Sequence, residues 1–95
     1  MADILQLIEE VQQDIFRFHI PVAMQKVAEI IDHLMLLANR LENSTLLQLM
    51  GIITHMNQAL GNKDYLLLAD LLQYELKPFI EPLYLSHPEG QDESV

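Results

Sequence analysis

Apolar residues recur with the period of an α-helix along almost the whole chain, in four stretches separated by three breaks. The breaks are Pro21, segment 43–45 (Asn-Ser-Thr) and segment 61–64 (Gly-Asn-Lys-Asp). Apolar residues three and four positions apart share one face of a helix, so each stretch predicts an amphipathic helix. Helices joined by such short turns pack antiparallel. The sequence therefore predicts an all-α fold, a four-helix up-down bundle.

The size of the chain permits a single small core. Its 95 residues are 51% hydrophobic, slightly above the usual range of about 45 to 50%, although a domain this short buries only about 60 to 65% of its unfolded surface. We expect part of the apolar excess to face a partner. Residues 1–85 are predicted to form one helical domain, and residues 86–95, which have little to bury, a flexible acidic tail.

The charge balance restricts the partners. Fourteen acidic residues against five basic ones give a formal net charge of −9, which repels phosphate backbones and anionic lipid headgroups. We therefore expect no nucleic acid and no membrane among the partners. The first residues lack the basic region of a signal peptide, and no apolar run approaches the roughly 18 residues of a membrane span. A cytoplasmic protein is expected.

The first two helices are predicted over residues 2–18 and 21–41, with Ile4, Ile8, Val11, Ile15 and Phe18 on one apolar line of the first. Pro21 favours a break or tight turn over one long kinked helix, because proline is tolerated at the start of a helix but clashes inside it. A continuous helix through Pro21 stays open as the alternative.

The third and fourth helices are predicted to form a tight antiparallel hairpin. Thr45 and Gln48 have the spacing of a capping box, which predicts that the third helix starts there. Gly61 suits the left-handed residue that ends a helix, and Asn62 or Asp64 can cap the next helix. Gly51 indicates a close helix crossing. Pro78 predicts an end or a kink of the fourth helix.

The sequence shows no recognisable catalytic, metal-binding or nucleotide-binding motif. Glu29, Asp32 and His33 are predicted on the polar side of one helix, and the four histidines are scattered along the chain. No glycine-flanked serine and no phosphate-binding loop occurs. We therefore predict no catalytic residues, no metal site and no cofactor. An enzymatic or metal-binding bundle is the least favoured alternative.

The excess of apolar residues points instead to association. Large exposed apolar patches usually mark a protein contact, and homodimers are the commonest oligomers of soluble proteins. We predict a non-enzymatic interaction or adaptor protein that forms a homodimer; the alternative is a chaperone that binds an amphipathic helix of a client protein. The candidate interface residues are Met24, Ile31, Met35, Met50, Leu67, Leu71, Tyr74 and Phe79.

The segment from Gly61 to Pro78 resembles a hairpin-and-helix segment of small uncharacterised helical-bundle proteins of Gram-positive bacteria. The resemblance covers about a fifth of the chain. It implies a bacterial cytoplasmic protein without an assigned activity, and it supplies no catalytic residues. In architecture the chain is also similar to small flagellar and secretion chaperones, which are acidic helical bundles; that similarity rests on fold class and charge alone.

Overall fold

A computed structural model describes residues 3–86, which form the all-α, four-helix arrangement expected from the periodicity. The predicted tail lies outside the described residues except for Ser86. The fourth helix is continuous but contains a wider π-helical turn, here called the π segment. The elements are α1 (Ile4–Phe16), α2 (Ile20–Ala38), α3 (Asn43–Gly61), α4 (Tyr65–Leu71), the π segment (Leu72–Leu76) and α5 (Lys77–Ser86).

All four helices contribute to one core. α1 packs most extensively against α2 and also lies along the fourth helix, while α3 packs mainly against α4 and only slightly against α2. Chain reversals at each turn give the predicted up-down order. The core side chains that are almost completely buried include Ile4, Ile8, Ile30, Leu34, Leu49, Met56, Leu68, Leu72, Leu76 and Ile80.

The turn between α1 and α2 confirms the predicted break at Pro21, which occupies the first turn of α2. The chain reverses at Phe18, whose φ of 60° places it in the left-handed region. The Phe18 N–H donates to the Ile15 carbonyl at 3.0 Å and the His19 N–H to the Asp14 carbonyl at 2.7 Å, the two bonds of a Schellman motif. Phe18 is therefore outside the helix and is exposed to solvent rather than on its apolar line.

The turn between α3 and α4 repeats this motif at Lys63, whose φ is 55°. The Lys63 N–H donates to the Leu60 carbonyl at 3.1 Å and the Asp64 N–H to the Ala59 carbonyl at 2.9 Å. The prediction for Gly61 was wrong: Gly61 is the last residue of α3 and is not left-handed. Asp64 caps α4 as expected, accepting a hydrogen bond from the Leu67 N–H at 3.1 Å.

The start of α3 differs from the predicted capping box. The helix begins two residues earlier, at Asn43, and Glu42 is the N-cap residue. The Thr45 hydroxyl lies within the helix and donates to the Glu42 carboxylate at 3.4 Å, so it does not cap. The close crossing predicted at Gly51 is also absent, since a Cβ added at Gly51 would have no neighbour within 4 Å.

The π segment accounts for how the fourth helix passes Pro78 without ending. The Lys77 N–H bonds to the Leu72 carbonyl five residues back instead of four. Pro78 has no N–H, and in an α-helix its ring would clash with the carbonyl of Tyr74. The wider turn directly before Pro78 accommodates the ring, and the helix then continues through Pro82 to Ser86.

Candidate interaction surfaces

The described residues do not assemble a metal site. No group of three or more His, Asp or Glu side chains within residues 3–86 could hold a metal ion. Glu29 and Asp32 are exposed on α2 and His33 is half-buried. His55 on α3 faces Glu75 of the π segment, with 3.3 Å between its Nδ1 and the Glu75 Oε1. The most distinctive features of the described residues are exposed apolar side chains and two surface grooves.

The outward side of α3 is unusual because it carries no formal charge. The helix contains no Asp, Glu, Lys or Arg among its 19 residues, in a chain whose net charge is −9. Leu47 is 73% exposed and Met50 is also exposed. We call this surface the neutral face; its exposed residues, on successive turns, are Leu47, Met50, Gly51, Thr54, Asn57 and Gln58.

Two further apolar side chains lie at the same end of the bundle as Leu47. Met35 and Leu36, near the end of α2, are both exposed, and only a short turn separates them from α3. On its other side the neutral face borders a shallow groove of about 440 Å³ between α3 and the fourth helix. The lining residues of this groove are Gln48, Gly51, Ile52, His55, Glu75, Pro78 and Phe79.

A second groove, of about 360 Å³, runs between α1 and the fourth helix. We call it the aromatic groove, because Phe16, 70% exposed, and Tyr74, 73% exposed, project from its two sides. The Gln12 Nε2 donates to the Gln73 Oε1 at 3.0 Å and to the Ala69 carbonyl at 3.3 Å. These bonds fix the spacing of the two helices. The remaining lining residues are Glu9, Gln13 and Asp70.

The charges around α1 differ between its two flanks. Toward α2, the Lys26 Nζ lies 2.8 Å from Asp14 and 3.4 Å from Glu10, and the hydrogen bond to Asp14 raises the pKa of Lys26 above its usual 10.5. Toward the aromatic groove, Glu9 has only a distant pairing with Lys77, at 3.9 Å. Asp70 forms no ion pair with the described residues. The groove therefore keeps a negative rim.

The predicted interface residues fall into three environments. Met35, Met50, Leu67 and Tyr74 are exposed. Met24, Ile31 and Phe79 are partly buried against the core, and Leu71 belongs to the core itself. Leu71 is therefore unavailable to a partner unless the bundle rearranges, and no single surface collects all eight residues.

Sequence reasoning missed the exposed apolar residues Phe16, Phe18, Leu36, Leu47 and Leu66. The sequence carries a signal for two of them, because Phe16 and Leu47 lie off the apolar lines of their helices. Apolar residues that break a helical pattern point away from the core.

Comparison with known proteins gives a family but no activity. No helix among the described residues is long and apolar enough to cross a membrane. No curated protein and no solved structure matches the chain significantly. The model of a domain of unknown function, DUF8042, matches residues 1–84. The chain therefore belongs to the DUF8042 family.

Proposed function

We propose that this protein is a small, non-enzymatic interaction protein that pairs with a second copy of itself through the neutral face of α3. The observation that carries the proposal is the lack of formal charge on α3, combined with the exposure of Leu47 and Met50. An exposed helix usually has charged residues on its outward side. On α3 these positions are apolar, small or uncharged polar residues.

Electrostatics favours this face for contact between two copies. Two chains of charge −9 repel each other, and the repulsion is strongest where carboxylates approach closely. α1 carries three carboxylates, Glu9, Glu10 and Asp14, of which Glu9 is exposed, whereas α3 carries none. The cores of protein interfaces are likewise depleted of charged residues. α3 is therefore the helix at which two copies meet with the least electrostatic cost.

Shape supports the same pairing. Around a two-fold axis, the same surface of each copy contacts the other. Gly51 and Thr54 are small and lie in the middle of the neutral face, so two α3 helices can approach closely there. Leu47 and Met50 precede this crossing on α3, so in an antiparallel pair those of the two copies would pack on its opposite sides. Met35 and Leu36 of α2 would extend the apolar contact.

The test is sedimentation equilibrium at micromolar concentrations with two matched variants. Leu47→Glu places a carboxylate in the proposed contact, whereas Leu66→Glu places one at a similarly exposed leucine, 73% against 67%, at the other end of the bundle. We expect a dimer for the unchanged chain and for Leu66→Glu. We expect Leu47→Glu to weaken dimerisation by at least about 100-fold, because each dimer would bury two unpaired charges.

Circular dichroism checks that both variants keep the helical content of the unchanged chain. An unchanged chain that is monomeric at these concentrations would remove the proposal. Dissociation by Leu66→Glu with no effect of Leu47→Glu would also contradict it, because the contact would then lie at the wrong end.

A further inference from the structure

Among the residues whose burial is described, three aromatic side chains are largely exposed, and two of them line the aromatic groove. The chain has three phenylalanines, three tyrosines and no tryptophan. Phe16 and Tyr74 flank the aromatic groove, and Phe18, 86% exposed, lies two residues beyond the end of α1. Tyrosine and phenylalanine side chains are enriched at protein interfaces relative to the rest of the surface.

The backbone departs from regular geometry at two of these exposed aromatic residues. Tyr74 and Gln73 belong to the π segment, and single π turns inside α-helices occur frequently at functional sites. Phe18 has a positive φ, which is costly for a residue with a bulky side chain. Both irregularities leave an aromatic side chain facing solvent.

The charge of the rim indicates which partner fits. Asp70 lies on the rim beside Tyr74 and has no ion pair among the described residues, and Glu9 is only distantly paired. Aromatic ring faces also attract the cationic groups of lysine and arginine. A partner segment that presents basic residues beside apolar ones would satisfy both the rings and the carboxylates.

From this geometry we infer that the aromatic groove binds a basic amphipathic helix of another protein. The groove is bounded by two antiparallel helices, α1 and the fourth helix, so a third helix can lie along it with its apolar face between Phe16 and Tyr74. Its basic residues reach Asp70 and Glu9. This inference goes beyond the proposed dimer and uses a different surface.

The test uses a defined probe, an amidated peptide of leucine and lysine with leucines at helical spacing. A peptide of the same composition in scrambled order has the same charge but no apolar face. Isothermal titration calorimetry at physiological salt is expected to show micromolar binding of the first peptide. Binding of the scrambled peptide is expected to be at least tenfold weaker. Equal binding of both peptides would overturn the inference, because it would reflect net charge alone.

Two double variants locate the site, and their side chains are matched in exposure. The aromatic double variant, Phe16→Ser with Tyr74→Ser, removes two rings that are 70% and 73% exposed. The leucine double variant, Leu36→Ser with Leu47→Ser, removes two side chains that are 69% and 73% exposed. We expect the aromatic double variant to weaken peptide binding at least tenfold and to remain dimeric. The leucine double variant should bind the peptide normally. Asp70→Asn should weaken binding severalfold and reduce its salt dependence.

The outcomes separate this inference from the proposed dimer. Normal peptide binding by the aromatic double variant would overturn the inference, as would dissociation of the dimer by that variant, since the occupant would then be a second copy. A chain that is monomeric yet binds the peptide at the aromatic groove would remove the proposed dimer and leave this inference intact.

Discussion

α1 and α3 both have apolar residues at helical spacing, but they bury different shares of their residues. α1 buries five of its 13 residues, between α2 on one side and the fourth helix on the other. α3 buries four of its 19 residues and has substantial packing only against α4. α1 carries three carboxylates, one of them exposed, whereas α3 has no charged residue of either sign. Periodicity therefore identifies a helix, but only the composition of the outward side shows whether the helix is suited to solvent or to a partner.

The largest expected effect comes from comparing a core residue of α1 with an exposed residue of α3. Ile8→Ala should lower the free energy of unfolding by about 2 to 5 kcal/mol, because it leaves a cavity in the core. Leu47→Ala should change it by no more than about 0.5 kcal/mol in the monomer. Urea unfolding at a concentration where the chain is monomeric measures both. A large loss for Leu47→Ala would show that α3 is as tightly packed as α1.

A smaller effect is expected at the turns that end α1 and α3. Phe18→Gly or Lys63→Gly should raise the free energy of unfolding by about 0.5 to 1 kcal/mol. Left-handed geometry costs a residue with a side chain about 1 to 2 kcal/mol, and glycine removes this cost. Part of the gain is offset because glycine loses more conformational entropy on folding. The measurement is urea unfolding of each glycine variant. Phe18→Ala and Lys63→Ala are the controls, since alanine keeps the strain. Stabilisation by alanine equal to that by glycine would contradict strain as the cause.

The smallest effect concerns the ion pairs of Lys26 between α1 and α2, since α3 has no lysine or arginine that could form such a pair. Asp14 and Glu10 raise the pKa of Lys26, so protonated Lys26 stabilises the folded state below its unfolded pKa of 10.5. This contribution is lost as the pH rises through the higher folded pKa. The melting temperature of the unchanged chain should fall more steeply in this alkaline range than that of Lys26→Gln. Parallel curves for the two proteins would show that the pairs contribute nothing to stability.

The number of helices and the positions of their turns followed from the sequence, whereas the residues that end the helices did not. Gly61 was expected to be left-handed, but the same motif uses Lys63. A Schellman motif is defined by backbone hydrogen bonds, and packing of the two helices sets where it falls. A residue that tolerates left-handed geometry can therefore lie nearby without being used.

The candidate surfaces were predictable only in part. Leu67 and Leu71 lie one helical turn apart and both look suited to an interface, yet one is exposed and the other is buried. The distinction depends on where α1 and α3 cover the fourth helix, and the π segment changes the rotation of everything after it. Neither the packing of the helices nor the π segment follows from the helical spacing of apolar residues. The lack of charge on α3, by contrast, is visible in the sequence alone.

The π segment touches both grooves, since Gln73 and Tyr74 line one and Glu75 lines the other. Returning this turn to α geometry would rotate the two flanking parts of the helix relative to each other by about 100°, the angle of one residue. Tyr74 and Phe79 would then no longer keep their present relative orientation. Because α geometry would make the Pro78 ring clash with the Tyr74 carbonyl, the proline holds the turn in its π form and so fixes how the two grooves are placed around the fourth helix.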